Sequence, residues 1–197
     1  MRGFYTRVFA GALMLAAAFD LSAQTLVRGP YLQQVTEQSV IVRWRTSTGT
    51  VSVVRYGLDS GSLSQTATVS GSRTEHAVLL SGLSDSTTYF YSVGDESGAL
   101  AGDASFNFTT APEPGTSAPA RFWVLGDSGT ANSNAANVRD AFKAWSASQP
   151  ADFMIMLGDN AYNSGTDAEY QAAVFDMYPE ILRQLPLWST LGNHDGY

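Results

Sequence analysis

The feature that most constrains this chain is a change of hydrophobic pattern across one proline-rich segment. Before Ala111-Pro112-Glu113-Pro114-Gly115-Thr116-Ser117-Ala118-Pro119, apolar and polar residues alternate in short stretches; after it, apolar residues come in nearly continuous runs. Proline has no N–H to give to a sheet and fixes its own φ, so a segment with three of them ends whatever sheet precedes it. Alternation is the mark of strands buried on one face, and continuous short runs are the mark of strands covered on both. The chain therefore reads as two units of different class: an all-β unit over 24–111, a linker over 112–119, and an α/β unit over 120–197.

In the first unit the alternating stretches are 39–45, 51–57, 65–70, 74–80, 87–94 and 104–110, separated by Gly/Ser/Asp clusters. In the first of them Val40, Val42 and Trp44 share a face. Short strands at this spacing predict a β-sandwich. Leu83 leads a turn and Tyr89 opens the next strand, which resembles the tyrosine corner of a fibronectin type III module. His76 lies inside an alternating strand and is expected to be structural. In the second unit, apolar runs at 121–125, 151–157 and 187–191 alternate with helical periodicity at 134–147 (Ala136, Val138, Phe142, Trp145) and 167–178 (Ala168, Ala172, Phe175). Strand, helix, strand, helix, strand predicts a parallel sheet buried under helices.

The first 23 residues carry Arg2 and Arg7, then an apolar run from Val8 to Phe19, then Leu21-Ser22-Ala23. This is the layout of a cleaved export signal, and the run is too short for a comfortable membrane span. The expected location is secreted or periplasmic, with no membrane span after cleavage. The net charge of -7 argues against a nucleic-acid partner, which would need a basic face. Without cysteine, disulfides, thiolate metal sites and a Cys nucleophile are excluded, and any metal must be held by oxygen and nitrogen.

Each apolar run of the second unit ends in glycine and a metal-capable residue: Gly126-Asp127-Ser128-Gly129, Gly158-Asp159-Asn160-Ala161-Tyr162, and Gly192-Asn193-His194-Asp195. Ligands of open α/β sheets collect at the carboxyl ends of strands, so Asp127, Asp159 and Asn193 are expected at one rim. Any one Gly-Asp would more often be a plain turn. Three such blocks in order, the last carrying His-Asp, point to a metal site. Asp195 is expected either to orient His194 from outside the ligand set or to be a turn residue, with the first preferred.

The three blocks resemble the first signatures of the calcineurin-like metallophosphoesterases, and Tyr162 in the second resembles purple acid phosphatases in particular. Arg28-Gly29-Pro30-Tyr31-Leu32-Gln33 looks like the start of that family's N-terminal sandwich. The implied fold is a fibronectin type III-like sandwich followed by the first part of a metallophosphoesterase domain. The implied activity is hydrolysis of a small phosphate monoester at a binuclear centre of Fe(III) with Fe(II), Zn(II) or Mn(II). Alternatives are a phosphodiesterase or nucleotidase of the same superfamily, or an exported binding module without catalysis. The resemblance implies that Asp127 and Tyr162 bind the first metal and that Asp159 bridges both. It implies that Asn193 binds the second metal and lies near substrate, and that His194 touches phosphate and protonates the leaving oxygen. It also implies three further histidine ligands downstream, whereas the histidines here are His76 and His194. The sequence as given is thus expected to hold part of the ligand set and to be inactive alone.

Overall fold

A computed structural model describes residues 24–196; the signal-like segment lies outside the described residues. The first unit contains β1 (Leu26–Gln33), β2 (Ser39–Gly57), β3 (Gln65–Ser81), β4 (Thr88–Asp95), β5 (Gly98–Ala101) and β6 (Asn107–Thr109). All pairings are antiparallel. Where the sequence pattern suggested separate strands at 39–45 and 51–57, β2 runs through both as one strand of 19 residues, and β3 likewise joins 65–70 to 74–80. The Ser/Thr/Gly stretch between them is a bend with the register shifting on either side of Thr50, not a chain reversal. The two strands turn this corner together. The first part of β2 pairs with β1 and the second with β4. Their inward residues meet in one core of Leu32, Val40, Val42, Trp44, Val54, Tyr56, Val78, Leu80, Tyr89, Tyr91, Val93 and Phe108. The tyrosine corner is formed: the Tyr89 hydroxyl accepts from the Ser84 N–H at 3.0 Å.

His76 is buried at the β2–β3 bend, stacked on Trp44 with ring centroids 4.6 Å apart. Thr46 Oγ1 spends its proton on the Thr48 carbonyl, so it accepts from His76 Nε2, which leaves Nδ1 to accept from Ser52. Burial first, then Arg73, lowers the His76 pKa. The ring is a structural pin of the sandwich.

The 112–119 segment is exposed and irregular. Beyond it come β7 (Phe122–Leu125), α1 (Ser133–Ser146), β8 (Phe153–Met156), α2 (Asp167–Tyr170), a π-helical turn (Gln171–Phe175), α3 (Pro179–Leu182) and β9 (Leu187–Ser189). The three strands form a parallel sheet in the order β7-β8-β9. Trp123, Leu125, Met154, Met156 and Leu187 pack on one face against Phe142, Val174, Tyr178, Ile181 and Leu182. The expected cover of helices on both faces is met on this one. Phe122, Val124 and Trp188, on the opposite face, are exposed among the described residues.

Both helical readings shift in phase. In α1, Ala135 and Phe142 are buried, while Val138 and Trp145 face outward. The 167–178 segment is not one α-helix: the wider π turn resets the phase, so Ala173 and Val174 enter the core in place of Ala168 and Ala172. Among the described residues no helix is long and apolar enough to cross a membrane.

Candidate metal centre

The ends of β7, β8 and β9 deliver their loops to one rim. Asp127 and Asp159 both follow their strand with φ of 53°, the left-handed region that Asp tolerates better than most side chains. Both chains therefore turn sharply at the carboxylate-bearing residue. The Asp127 N–H donates to the Gly158 carbonyl at 3.2 Å, and the Gly129 N–H to the Asp159 carbonyl at 3.0 Å. The Tyr162 N–H returns to the Gly129 carbonyl at 3.0 Å. These bonds stitch the first two loops side by side. The third fits against them only because of glycine: a Cβ at Gly192 would lie 2.2 Å from Asp159 Oδ1, and one at Gly158, whose φ is +105°, 2.7 Å from the Gly192 nitrogen.

The result is a cluster of three oxygens. The Tyr162 hydroxyl lies 3.0 Å from Asp127 Oδ1 and 3.1 Å from Asp159 Oδ2. Desolvation, then its hydrogen bonds to Asp127 and Asp159, raises the phenol to about 12. Among the described residues neither carboxylate is in an ion pair with Lys or Arg. No group of three His, Cys, Asp or Glu side chains is gathered for a metal there either, so the donors at this rim are two carboxylates and a phenol. Two neighbouring carboxylates without a compensating cation, joined by a hydroxyl that a cation would ionise, fit a hard metal ion.

Asn193 occupies the loop between two anchored neighbours. The Gly192 N–H donates to Asp195 Oδ2 at 2.7 Å, and the His194 N–H to Asp159 Oδ1 at 3.0 Å. The Asn193 side chain itself is exposed and enters no hydrogen bond among the described residues. The sequence therefore brings Asp127, Asp159 and Tyr162 into contact and sets Asn193 beside them.

The expected partnership of Asp195 with the His194 ring is not what the geometry contains. Asp195 is buried and faces backbone instead: Oδ1 accepts from the Asn160 and Ala161 N–H groups at 2.7 and 3.1 Å. Its Oδ2 accepts from Gly192 and from the Asn160 amide. Burial opposes its charge, but the Gly192 N–H, the Tyr170 hydroxyl and the other donors outweigh it and lower its pKa. A short carboxylate surrounded by loop N–H groups is better placed to lock two loops than to reach an imidazole.

The partner of the ring is a carbonyl. His194 Nδ1 lies 2.8 Å from the Asn163 oxygen, and a carbonyl only accepts, so Nδ1 carries the proton and Nε2 is the free nitrogen. The ring stands edge-on to Tyr162 with centroids 4.9 Å apart. The loop supplying that carbonyl is held by Glu169, whose carboxylate accepts from the Asn163, Ser164 and Thr166 N–H groups and the Thr166 hydroxyl. Thr166 and Glu169 form a reciprocal capping box at the start of α2. The Thr166-x-x-Glu169 spacing is a capping-box signal in the sequence, but its bearing on the site depends on Asn163 folding back.

Residues 29–110 match the family model of the purple acid phosphatase N-terminal domain, and residues 120–197 match that of the calcineurin-like phosphoesterases. No protein of curated function matches the chain. Among solved structures it resembles a purple acid phosphatase from yellow lupin (Lupinus luteus) seeds, at 20% identity and a TM-score of 0.62. That match covers 84% of this chain and 35% of that one. It also resembles PhoD, at 14% identity and a TM-score of 0.63, over 90% of this chain and 40% of that one. At such identities the likeness is one of fold, and the chain spans less than half the length of either structure. With one family model on each side of the proline-rich linker, the chain joins a domain of the purple acid phosphatase N-terminal type to the start of a calcineurin-like phosphoesterase domain.

Proposed function

We propose that this chain supplies the first ligands of a two-metal site that hydrolyses phosphate monoesters, as part of a longer secreted or periplasmic enzyme. The observation that carries this reading is the contact of Tyr162 with both Asp127 and Asp159. Asp127 and Tyr162 would hold the first cation, Fe(III), and Asp159 would be shared with a second, Fe(II), Zn(II) or Mn(II), that Asn193 also approaches. Such a pair would supply Lewis acidity for hydrolysis of the ester.

The chain's own residues would do the rest. Asp159 fixes the loop of Asn193 and His194 through the His194 N–H. The Asn163 carbonyl keeps the His194 proton on Nδ1 and turns Nε2 free, so that a protonated ring has its second N–H available for the leaving oxygen. The Tyr162 phenol distinguishes this reading from a phosphodiesterase or nucleotidase of the same superfamily, since its oxygen touches both carboxylates.

The test is iron loading of this chain joined to whatever follows it in its reading frame, with hydrolysis of p-nitrophenyl phosphate measured alongside the visible spectrum. Metal-dependent hydrolysis and a phenolate-to-iron band that disappears in Tyr162→Phe are the expected results. The sequence as given is expected to be inactive alone. A normal spectrum and normal turnover in Tyr162→Phe would rule the assignment out.

A further inference from the structure

The segment Arg28-Gly29-Pro30-Tyr31-Leu32-Gln33 has a use that the chemistry at the rim does not explain. It lies in β1, against the second unit. Leu32 is fully buried and bridges to Pro186, just before β9. The Tyr31 ring meets Phe175 of the π turn at 4.9 Å. Arg28 is buried, with its guanidinium 3.9 Å from the centre of the Phe175 ring. Its Nε donates to the Gln171 side chain at 2.8 Å and its terminal nitrogen to Asp167 Oδ1 at 2.9 Å. Arg45 of β2 donates to both oxygens of the same carboxylate, at 2.5 and 2.9 Å, while its Nε pairs with Glu75. One aspartate of the second unit is thus gripped by two arginines of the first, one of them paired in a two-pronged fork.

Asp167 sits at the first position of α2, immediately after the cap residue Thr166. Five residues before it is Tyr162, and between them runs the loop that gives the Asn163 carbonyl to His194. The loop is short and has two anchors: Glu169 gathers its N–H groups, and Asp167 ties its end to the sandwich.

We propose that the sandwich is a positioning element for the metal-facing loop, acting through Arg28 and Arg45 on Asp167. The phenol and the imidazole partner are set in place by a domain that contributes no ligand. The inference rests on reading Asp127, Asp159 and Tyr162 as a cation site, but its first test does not.

That test is amide hydrogen exchange on the chain and on Asp167→Ala, with Arg45→Ala as a second variant and Glu180→Gln, which removes the Lys143 pair between α1 and α3, as a control. Exchange across 162–166 is expected to speed up on the order of tenfold in both variants, with the β2–β4 amides and the urea midpoint of the sandwich unchanged. The control should behave as the parent, and Arg45→Lys should recover part of the protection. Unchanged exchange across 162–166 in both variants would overturn the proposal and leave Asp167 a mere docking contact. The second test loads Fe(III) alone into this chain joined to whatever follows it in its reading frame and follows the visible band, which should weaken or shift in Asp167→Ala. A band unaltered there, alongside loosened exchange, would also overturn it, since the loop would then move without moving the phenol. If the parent itself shows no band, the cation-site reading falls, and the exchange result decides the positioning role alone.

Discussion

Asp195 is buried at this rim, and its carboxylate takes four hydrogen bonds there. Its two oxygens accept from the backbone N–H groups of Asn160, Ala161 and Gly192 and from the Asn160 amide. Asp195→Ala leaves those donors without a partner, and an unsatisfied buried donor costs about 1–3 kcal/mol. Water reaches some of them once the side chain is gone, so the loss expected in urea unfolding is about 2–4 kcal/mol. Asp195→Asn keeps one acceptor oxygen and should lose roughly half as much. A loss below about 0.5 kcal/mol in the alanine variant, the level of an ordinary surface change, would mean the loops hold without it. The residue shows what a sequence reading can reach. Asp127, Asp159 and Tyr162 were legible because a glycine-acid pair at the end of an apolar run is a local signal. The preference for Asp195 as the orienter of His194 failed because the choice depends on which loop donors surround it, and those of Asn160 and Ala161 come from 35 and 34 residues away. Arg45 and Asp167 gave no signal, and Arg28 gave one only as part of the block that opens the sandwich: their pairing spans 139 and 122 residues, which no local pattern reveals.

At the scale of elements, the loop entering α2 is governed by one exposed carboxylate. Hydrogen bonds from the Thr166 N–H and hydroxyl, ahead of those from Asn163 and Ser164, hold Glu169 down at about 2, against an ordinary value of about 4.5. A carboxylate depressed in the folded state contributes stability that is fully present above its unfolded pKa and is lost as pH falls through its folded one. Protection of the Asn163, Ser164 and Thr166 amides should therefore be full above about pH 4.5, decline as pH falls below it and be lost by about pH 2. In Glu169→Gln the amide keeps one acceptor oxygen and no charge, so the same amides should exchange faster at pH 7 and lose their dependence on acid over that window. Equal protection at pH 7 in the two proteins would show that the capping box does not hold the loop. The capping box could be read from Thr166 and Glu169, but the helix after it could not. The π turn at Gln171–Phe175 shifts the buried stripe by a residue, and a period of 3.6 counted along the sequence misses it. The bend in β2 and β3 escaped for the opposite reason: Ser, Thr and Gly favour turns, yet here pairing continues across them on both strands.

For the whole molecule, the sheet of β7, β8 and β9 is covered on one side only. The uncovered side presents Phe122, Val124 and Trp188, each 42–53% exposed, with Phe153 stacked on Phe122 at 5.1 Å and Ile155 between Val124 and Trp188 in register. Side chains on neighbouring parallel strands at matching positions make a continuous apolar surface, and such surfaces on a soluble chain mark places where something packs. Among the described residues β7 also pairs only with β8, which leaves one strand edge free beside that surface. Two consequences should appear together when the chain is purified as given. It should bind a hydrophobic dye while its far-ultraviolet spectrum remains that of a folded β-rich protein, and its sedimentation coefficient should rise with concentration. Val124→Lys combined with Trp188→Lys puts two charges on the face without touching the packed side, where Trp123, Met154 and Met156 lie. The double variant should bind less dye and sediment as a monomer at every concentration. Dye binding that survives the double substitution would locate the exposed apolar surface elsewhere, and a parent chain that is monomeric and binds no dye would mean that this face is satisfied by water.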